Sequence, residues 1–196
     1  MQEETNIKGS TDVEHSEIPQ TPLEILNYQN PILGRPSSKV RFVDDELRKI
    51  IDDMAETMMI RDGIGLAAPQ IGLNKRFFLF ISDFAEDRET VMIKVAINPQ
   101  ILEEEGETIT YEGCLSYPDY FANVKRALKV KVRYQDIDLN KVEEEFTGLA
   151  ARVFQHELDH LDGIQFIDRM IPDTLKHKDE IDKEENDDGT IKATTI

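Results

Sequence analysis

The chain has 196 residues, 39% of them hydrophobic and 32% charged, with no tryptophan and one cysteine. That length fits a single domain burying roughly two-thirds of its unfolded surface, and no stretch reaches the roughly 20 apolar residues of a membrane span. The net charge of −17 excludes DNA or RNA binding through a general basic field, and the lone cysteine excludes an internal disulfide and fits a reducing compartment.

Residues 1–20 hold five acids and one base and read as a disordered acidic arm. They contain neither the apolar run of a secretory signal nor the basic character of a transit peptide, so a cytoplasmic protein is expected. The folded domain is expected to span 21–172. Residues 44–61 form the clearest amphipathic helix: Leu47, Ile50, Ile51, Met54 and Met58 fall on one face, with Asp44 or Asp45 as cap. The glycine-rich segment 63–70 reads as a helix-to-strand connection. Residues 76–82, 91–97, 107–112, 128–135 and 141–146 read as strands. Asn98-Pro99 ends the second of them, and the fourth places Leu128, Val130, Val132 and Tyr134 on one face. A second helix is predicted over 149–161, with Thr147 as cap and Asp162-Gly163 as stop. A weaker helix is predicted over 173–185, inside an acidic tail that spans 173–196. Several strands with two dissimilar helices make the fold α+β, not alternating α/β. Antiparallel or mixed sheets are expected around the second helix.

That helix carries His156-Glu157-Leu158-Asp159-His160. Residues i and i+4 lie about 40° apart on one helix face, so two imidazoles can share one metal ion. The intervening glutamate can then reach a water on that metal. Chance alone gives this pattern about 0.01 times in a chain of this composition. A catalytic tetrahedral site wants a third protein ligand. Downstream, LDGIQFIDRM offers only Asp162 and Asp168. Upstream, Cys114 lies in Glu112-Gly113-Cys114-Leu115-Ser116, at a strand end opening into a loop. Taken alone, Cys114 reads more simply as a small buried hydrophobe. In Gly63-Ile64-Gly65-Leu66-Ala67-Ala68-Pro69-Gln70, the Gln70 amide could donate to a developing oxyanion. A tight connection would explain the same segment.

These three segments together closely resemble the motifs of the peptide deformylases: GIGLAAPQ at 63–70, EGCLS at 112–116 and HELDH at 156–160. The resemblance covers roughly residues 21–170. It implies that Cys114, His156 and His160 hold a divalent metal, with Fe²⁺ the working ion and Ni²⁺ or Co²⁺ accepted. Ligand chemistry by itself would suggest Zn²⁺. The implied substrate is the N-formylmethionyl end of a newly made polypeptide, cleaved to formate and a free amine. Water activated by the metal attacks the formyl carbon, and Glu157 moves its proton to the leaving nitrogen. Gln70 and the Leu115 N–H are implied to stabilise the oxyanion, and Gly65 to hold the substrate backbone.

Helix geometry places Leu149 and Val153 on the metal-facing side. With Ile64 they would form a slot for the methionine side chain, although all three could equally be ordinary core. Arg152 faces the same side, toward either Glu112 or a substrate carbonyl. Arg126 reads as a structural ion-pair partner. An arginine that binds the substrate backbone in some relatives is replaced near Tyr120-Phe121. The acidic tail does not suit ribosome docking. Three rival readings remain at this point: a zinc endopeptidase of the HExxH type, a cysteine hydrolase with Cys114 as nucleophile, and an inactive binder of nascent N-termini.

Overall fold

The computed structural model describes residues 22–84, 91–181 and 194–196. The N-terminal acidic arm (1–20) and residues 182–193 of the acidic tail lie outside the described residues. Helix α1 (Asp45–Ile60) starts at Asp44, whose carboxylate accepts from the Leu47 N–H at 2.9 Å. Asp45 and Glu46 in its first turn suit the positive end of the helix dipole. Its Leu47, Ile51, Met54 and Met58 are buried, as the sequence periodicity predicts.

The glycine segment is more than a connection. Gly65–Ala67 forms strand β1, which pairs antiparallel with β2 (Phe77–Phe84). Three residues with small or apolar side chains, all buried, are too few to carry a period in the sequence. Strand β3 runs from Val91 to Glu105 and does not stop at Asn98-Pro99. Its pairing with the partner strand β6 (Lys129–Gln135) shifts register between Ile97 and Gln100. Asn98 takes a left-handed φ of 51° there, and its side chain bonds both the N–H and the carbonyl of Val40 at 3.0 and 2.8 Å. Pro99 is thus absorbed in a bulge, where the missing donor is tolerated.

Strands β4 (Thr108–Cys114) and β5 (Tyr117–Arg126) form a hairpin. The sequence leaves β5 unassigned, because YPDYFANVKR lacks alternation until Ala122, Val124 and Arg126 turn inward. Strands β6 (Lys129–Gln135) and β7 (Lys141–Thr147) follow. Val130, Val132 and Tyr134 are buried as expected, but Leu128 precedes the strand and is half exposed. Helix α2 (Gly148–Leu161) begins after Thr147, which makes no side-chain cap bond. A short helix α3 covers Phe166–Arg169.

The predicted helix over 173–185 is also corrected at its start. Lys176–His177 form β8, paired with Tyr120 and Phe121 of β5; helical backbone covers 178–181, and the rest of the predicted helix lies outside the described residues. Thr194–Thr195 form β9, parallel to β4. Two pieces of the acidic tail therefore pack on the body, through backbone pairing that carries no apolar signature.

The fold is α+β. One sheet has the order β1-β2-β3-β6-β7, all antiparallel; the other has the order β8-β5-β4-β9. Helix α2 lies against β1, β2 and β7 of the first sheet. Phe154 anchors it there, with ring centroids 5.0 Å from Phe78, 5.5 Å from Phe80 and 5.8 Å from Phe146. The Phe78 and Phe80 contacts are edge-to-face and the Phe146 contact is stacked, and aromatic pairs of both kinds add to area burial. We expect Phe154→Ala to lower unfolding stability by about 3–5 kcal/mol, measured by urea titration. A loss below about 1 kcal/mol, under the usual range for such a truncation, would mean that α2 is not held through this cluster.

Candidate metal centre

Three elements bring the site together. Strand β4 ends at Cys114, α2 presents His156 and His160 one turn apart, and the turn after β1 delivers Gln70. The ligand atoms of Cys114, His156 and His160 lie within 4.8 Å of one another, and all three residues are buried. Cys114 Sγ is 3.2 Å from His160 Nε2. The Nε2 atom of His156 is buried and has no hydrogen-bond partner among the described residues. One soft thiolate and two imidazoles converging on one point fit a single divalent ion, and so does the unpartnered nitrogen.

The support around these residues also fits a metal. His156 turns its other nitrogen, Nδ1, to Glu112 Oε2 at 3.1 Å. A carboxylate behind a ligand imidazole fixes its tautomer and orientation. Glu112 is in turn gripped by Arg126, whose Nε and Nη2 donate at 3.1 and 2.9 Å. The same guanidinium donates through Nη1 to Asp159 of α2, and Asp159 also accepts from Arg169 at 2.8 Å. Burial opposes ionisation of Glu112, but the His156 hydrogen bond and the Arg126 charge outweigh it and hold the carboxyl at about 2. Sequence reasoning identifies Arg126 as an ion-pair partner but leaves its partners open. Asp159 reads only as a spacer inside HELDH. The available signal is that a charged residue on a buried helix demands a partner.

Glu157 is fully buried, and both of its carboxylate oxygens lack a partner among the described residues. Burial pushes its carboxyl well above the ordinary range. Gly65 lies directly against it: a Cβ there would collide with Glu157 Oε1. The conformational reason for glycine is thus close approach, since Gly65 needs no left-handed φ. Burial pushes the Cys114 thiol up to about 12 and the His160 imidazole well below its usual value. Cys114 and His160 are therefore both neutral before a metal binds, which does not suit an activated cysteine nucleophile. A metal that binds here would displace the thiol proton.

The Gln70 side chain is oriented from behind. Its Oε1 accepts from the Ala67 N–H at 2.7 Å, so Nε2 faces Cys114 Sγ at 3.5 Å and Ser116 Oγ at 3.3 Å. Leu115 follows Cys114 in the turn of the β4–β5 hairpin. Val153 is fully buried, and Ile64 and Leu149 pack against its cluster. Arg152 is buried without a hydrogen bond at Nε and makes no ion pair with Glu112 among the described residues. A cleft of about 400 Å³ opens beside Cys114 and Leu115, with Ile25, Arg61, Tyr117 and Tyr120 in its walls. The Phe121 ring packs against Gly113.

If Glu112 orients His156, Glu112→Gln should weaken metal affinity about 10–100-fold. Chelator competition on the reconstituted protein measures it. An affinity within about twofold of the original, far inside that range, would show that His156 needs no such support.

The polypeptide deformylase family model matches residues 22–176. A peptide deformylase from Thermotoga sp. (strain RQ2) is 46% identical over 146 residues, covering 74% of this chain and 85% of the relative. The crystal structure of peptide deformylase from Thermotoga maritima superposes with a TM-score of 0.71 at 42% identity, covering 78% of this chain and 99% of the other. A Met-Ala-Ser-bound class I type b peptide deformylase from Acinetobacter baumannii gives a TM-score of 0.71 at 35% identity, covering 77% and 99%. With the family model spanning most of the chain and this identity extending over nearly all of the relatives' length, the protein belongs to the peptide deformylase family and is a metal-dependent hydrolase that removes the N-formyl group from newly made polypeptides.

Proposed function

We propose that Cys114, His156 and His160 hold one Fe²⁺ ion, with Ni²⁺, Co²⁺ or Zn²⁺ able to replace it, and that Glu157 moves the proton of the reaction. The convergence of three ligand atoms beside a buried, unpartnered glutamate carries this reading. When bound, the metal supplies Lewis-acid chemistry, polarising an oxygen and lowering the pKa of a water. Glu157 takes a proton from the attacking water and delivers it to the amide nitrogen, so that formate and a free amine leave. Its raised pKa suits a group that must both accept and return a proton near neutral pH. The Arg126 charge opposes this rise and the Glu112 charge adds to it.

The Gln70 Nε2 and the Leu115 N–H are the donors we assign to the oxyanion. Ala67 fixes the Gln70 amide with its donor end toward Cys114, so the dipole is oriented before substrate arrives. Gly65 keeps β1 flush with Glu157, which leaves its main chain able to meet the substrate backbone. Ile64, Leu149 and Val153 form the apolar slot for the methionine side chain. The Met-Ala-Ser bound in the Acinetobacter baumannii enzyme supports a formyl-Met tripeptide as the substrate type. Residues beyond the first would run along the cleft walled by Tyr117 and Tyr120.

The assigned residues all lie between Ile64 and His160, so we place the catalytic domain at 21–172. No helix among the described residues is long and apolar enough to cross a membrane. The lone cysteine and the substrate favour the cytoplasm, and the acidic residues of 173–196 make ribosome docking through them unfavourable.

Glu157→Gln should retain one metal per chain and lose about 10²–10⁴-fold or more in turnover. Formate release from formyl-Met-Ala-Ser, with metal content on the same anaerobic sample, measures both. Gln70→Ala should cost less, about 10²-fold at the lower end for an oxyanion donor. A Glu157→Gln variant with more than a tenth of the original turnover, well inside the smallest loss expected, would assign the proton to another base.

A further inference from the structure

The chain's own residues 194–196 lie where the substrate is expected. Thr194 and Thr195 pair parallel with Glu112 and Gly113 of β4. The Ile196 N–H donates to the Gly113 carbonyl at 3.1 Å, and the Leu115 N–H donates to the Ile196 carbonyl at 3.2 Å. Leu115 is the residue whose N–H we assign to the formyl oxygen. The Ile196 side chain is 0% exposed and belongs to the hydrophobic cluster of Ala67 and Val153, against which Ile64 and Leu149 pack. A main-chain carbonyl at the oxyanion N–H and an aliphatic side chain among the slot residues are the two features that would identify formyl-methionine. One residue of the tail supplies both.

We propose that the segment Thr194-Thr195-Ile196 is an internal competitive ligand of the active site, and that substrate must displace it before deformylation. The proposal rests on the assignment of Leu115 and of the Ile64, Leu149 and Val153 slot given above. The β4 edge from Gly113 to Leu115 cannot pair with Ile196 and with a substrate strand at once, because each donor and acceptor named is already taken. Glu112 and Gly113 lie in the stretch that leads to Cys114, so the tail strand runs toward the metal ligand. Its grip combines two main-chain bonds with burial of one branched aliphatic side chain, while Thr194 and Thr195 serve as strand residues with high β-propensity. A tethered ligand acts at an effective concentration on the order of millimolar, enough to compete with a peptide substrate.

Competition of this kind raises the apparent KM by the inverse of the fraction of enzyme with an open groove and leaves kcat untouched. The test uses the full chain with Ile196→Asp, whose carboxylate cannot be buried in an apolar slot. KM for formyl-Met-Ala-Ser should fall about threefold or more, as for a groove open less than a third of the time, with kcat retained. An unchanged or higher KM overturns the proposal, and so does a collapse of kcat, which would make Ile196 a structural core residue.

Hydrogen exchange on the wild-type chain gives a second reading independent of the variant. Adding the product Met-Ala-Ser should speed exchange at the Ile196 amide, because its acceptor at Gly113 is lost. Unchanged exchange at saturating product overturns the proposal. Failure of both chains to release formate would instead refute the assigned reaction, so the two failures are distinguishable.

Discussion

The Arg126 guanidinium is the joint on which the centre depends. It leaves β5, grips Glu112 on β4 with two nitrogens and Asp159 on α2 with the third. Those are the two elements that carry Cys114 and the histidines. Beside this joint, α2 is held by the His156–Glu112 contact, by Gln155 bonding the Ala127 N–H and carbonyl, and by apolar contacts, which are non-directional. Burying such a charge is costly unless its geometry is good and its partners are all present. Here every nitrogen of the guanidinium has a carboxylate partner, and Arg169 balances the second of the two carboxylates, Asp159. The cluster is thus worth more for position than for stability: it fixes where the thiol at the end of one strand meets two imidazoles on one helix.

Within that frame, the reactive groups are those left unsatisfied. His156 Nε2 and both oxygens of Glu157 are buried without partners among the described residues. Groups in that state are unfavourable in a closed protein, so they persist only where a ligand completes them. Small residues give the space. A Cβ at Gly65 would strike Glu157, and one at Gly113 would lie 2.5 Å from the Phe121 ring. Glycine at these places lets two backbones come as near to the metal ligands as a substrate strand requires. The tail residues 194–196 exploit the same open edge, since β4 offers hydrogen bonds at Gly113 and Leu115 to whatever strand arrives.

Much of the site is legible in the sequence because its chemistry is local. The i, i+4 spacing of His156 and His160 survives as one face of α2, and Asp44 and the stripe from Leu47 to Met58 define α1 as periodicity predicts. The three motifs bring in Cys114 and Gln70. What escapes depends on long-range pairing. Strand β1 is three residues long and held by β2, β5 is hidden by its exposed first half, and Pro99 marks a bulge where the sequence suggests an end. Asp159 reads as a spacer, since nothing in HELDH says that Arg126, 33 residues away, will meet it. Ile196 belongs to a segment of acidic and small polar residues, and its burial follows from backbone pairing to β4, which leaves no pattern in the side chains.

The central claim is that one ion is held by one sulfur and two imidazoles, in a frame set by Arg126. X-ray absorption spectroscopy of the anaerobically iron-loaded full chain tests it most directly. The account predicts one ion per chain whose nearest shell contains one sulfur and two imidazole nitrogens. An iron shell without sulfur, at full occupancy and with the chain folded, would contradict it, because Cys114 would then stand outside the coordination that the three motifs assemble.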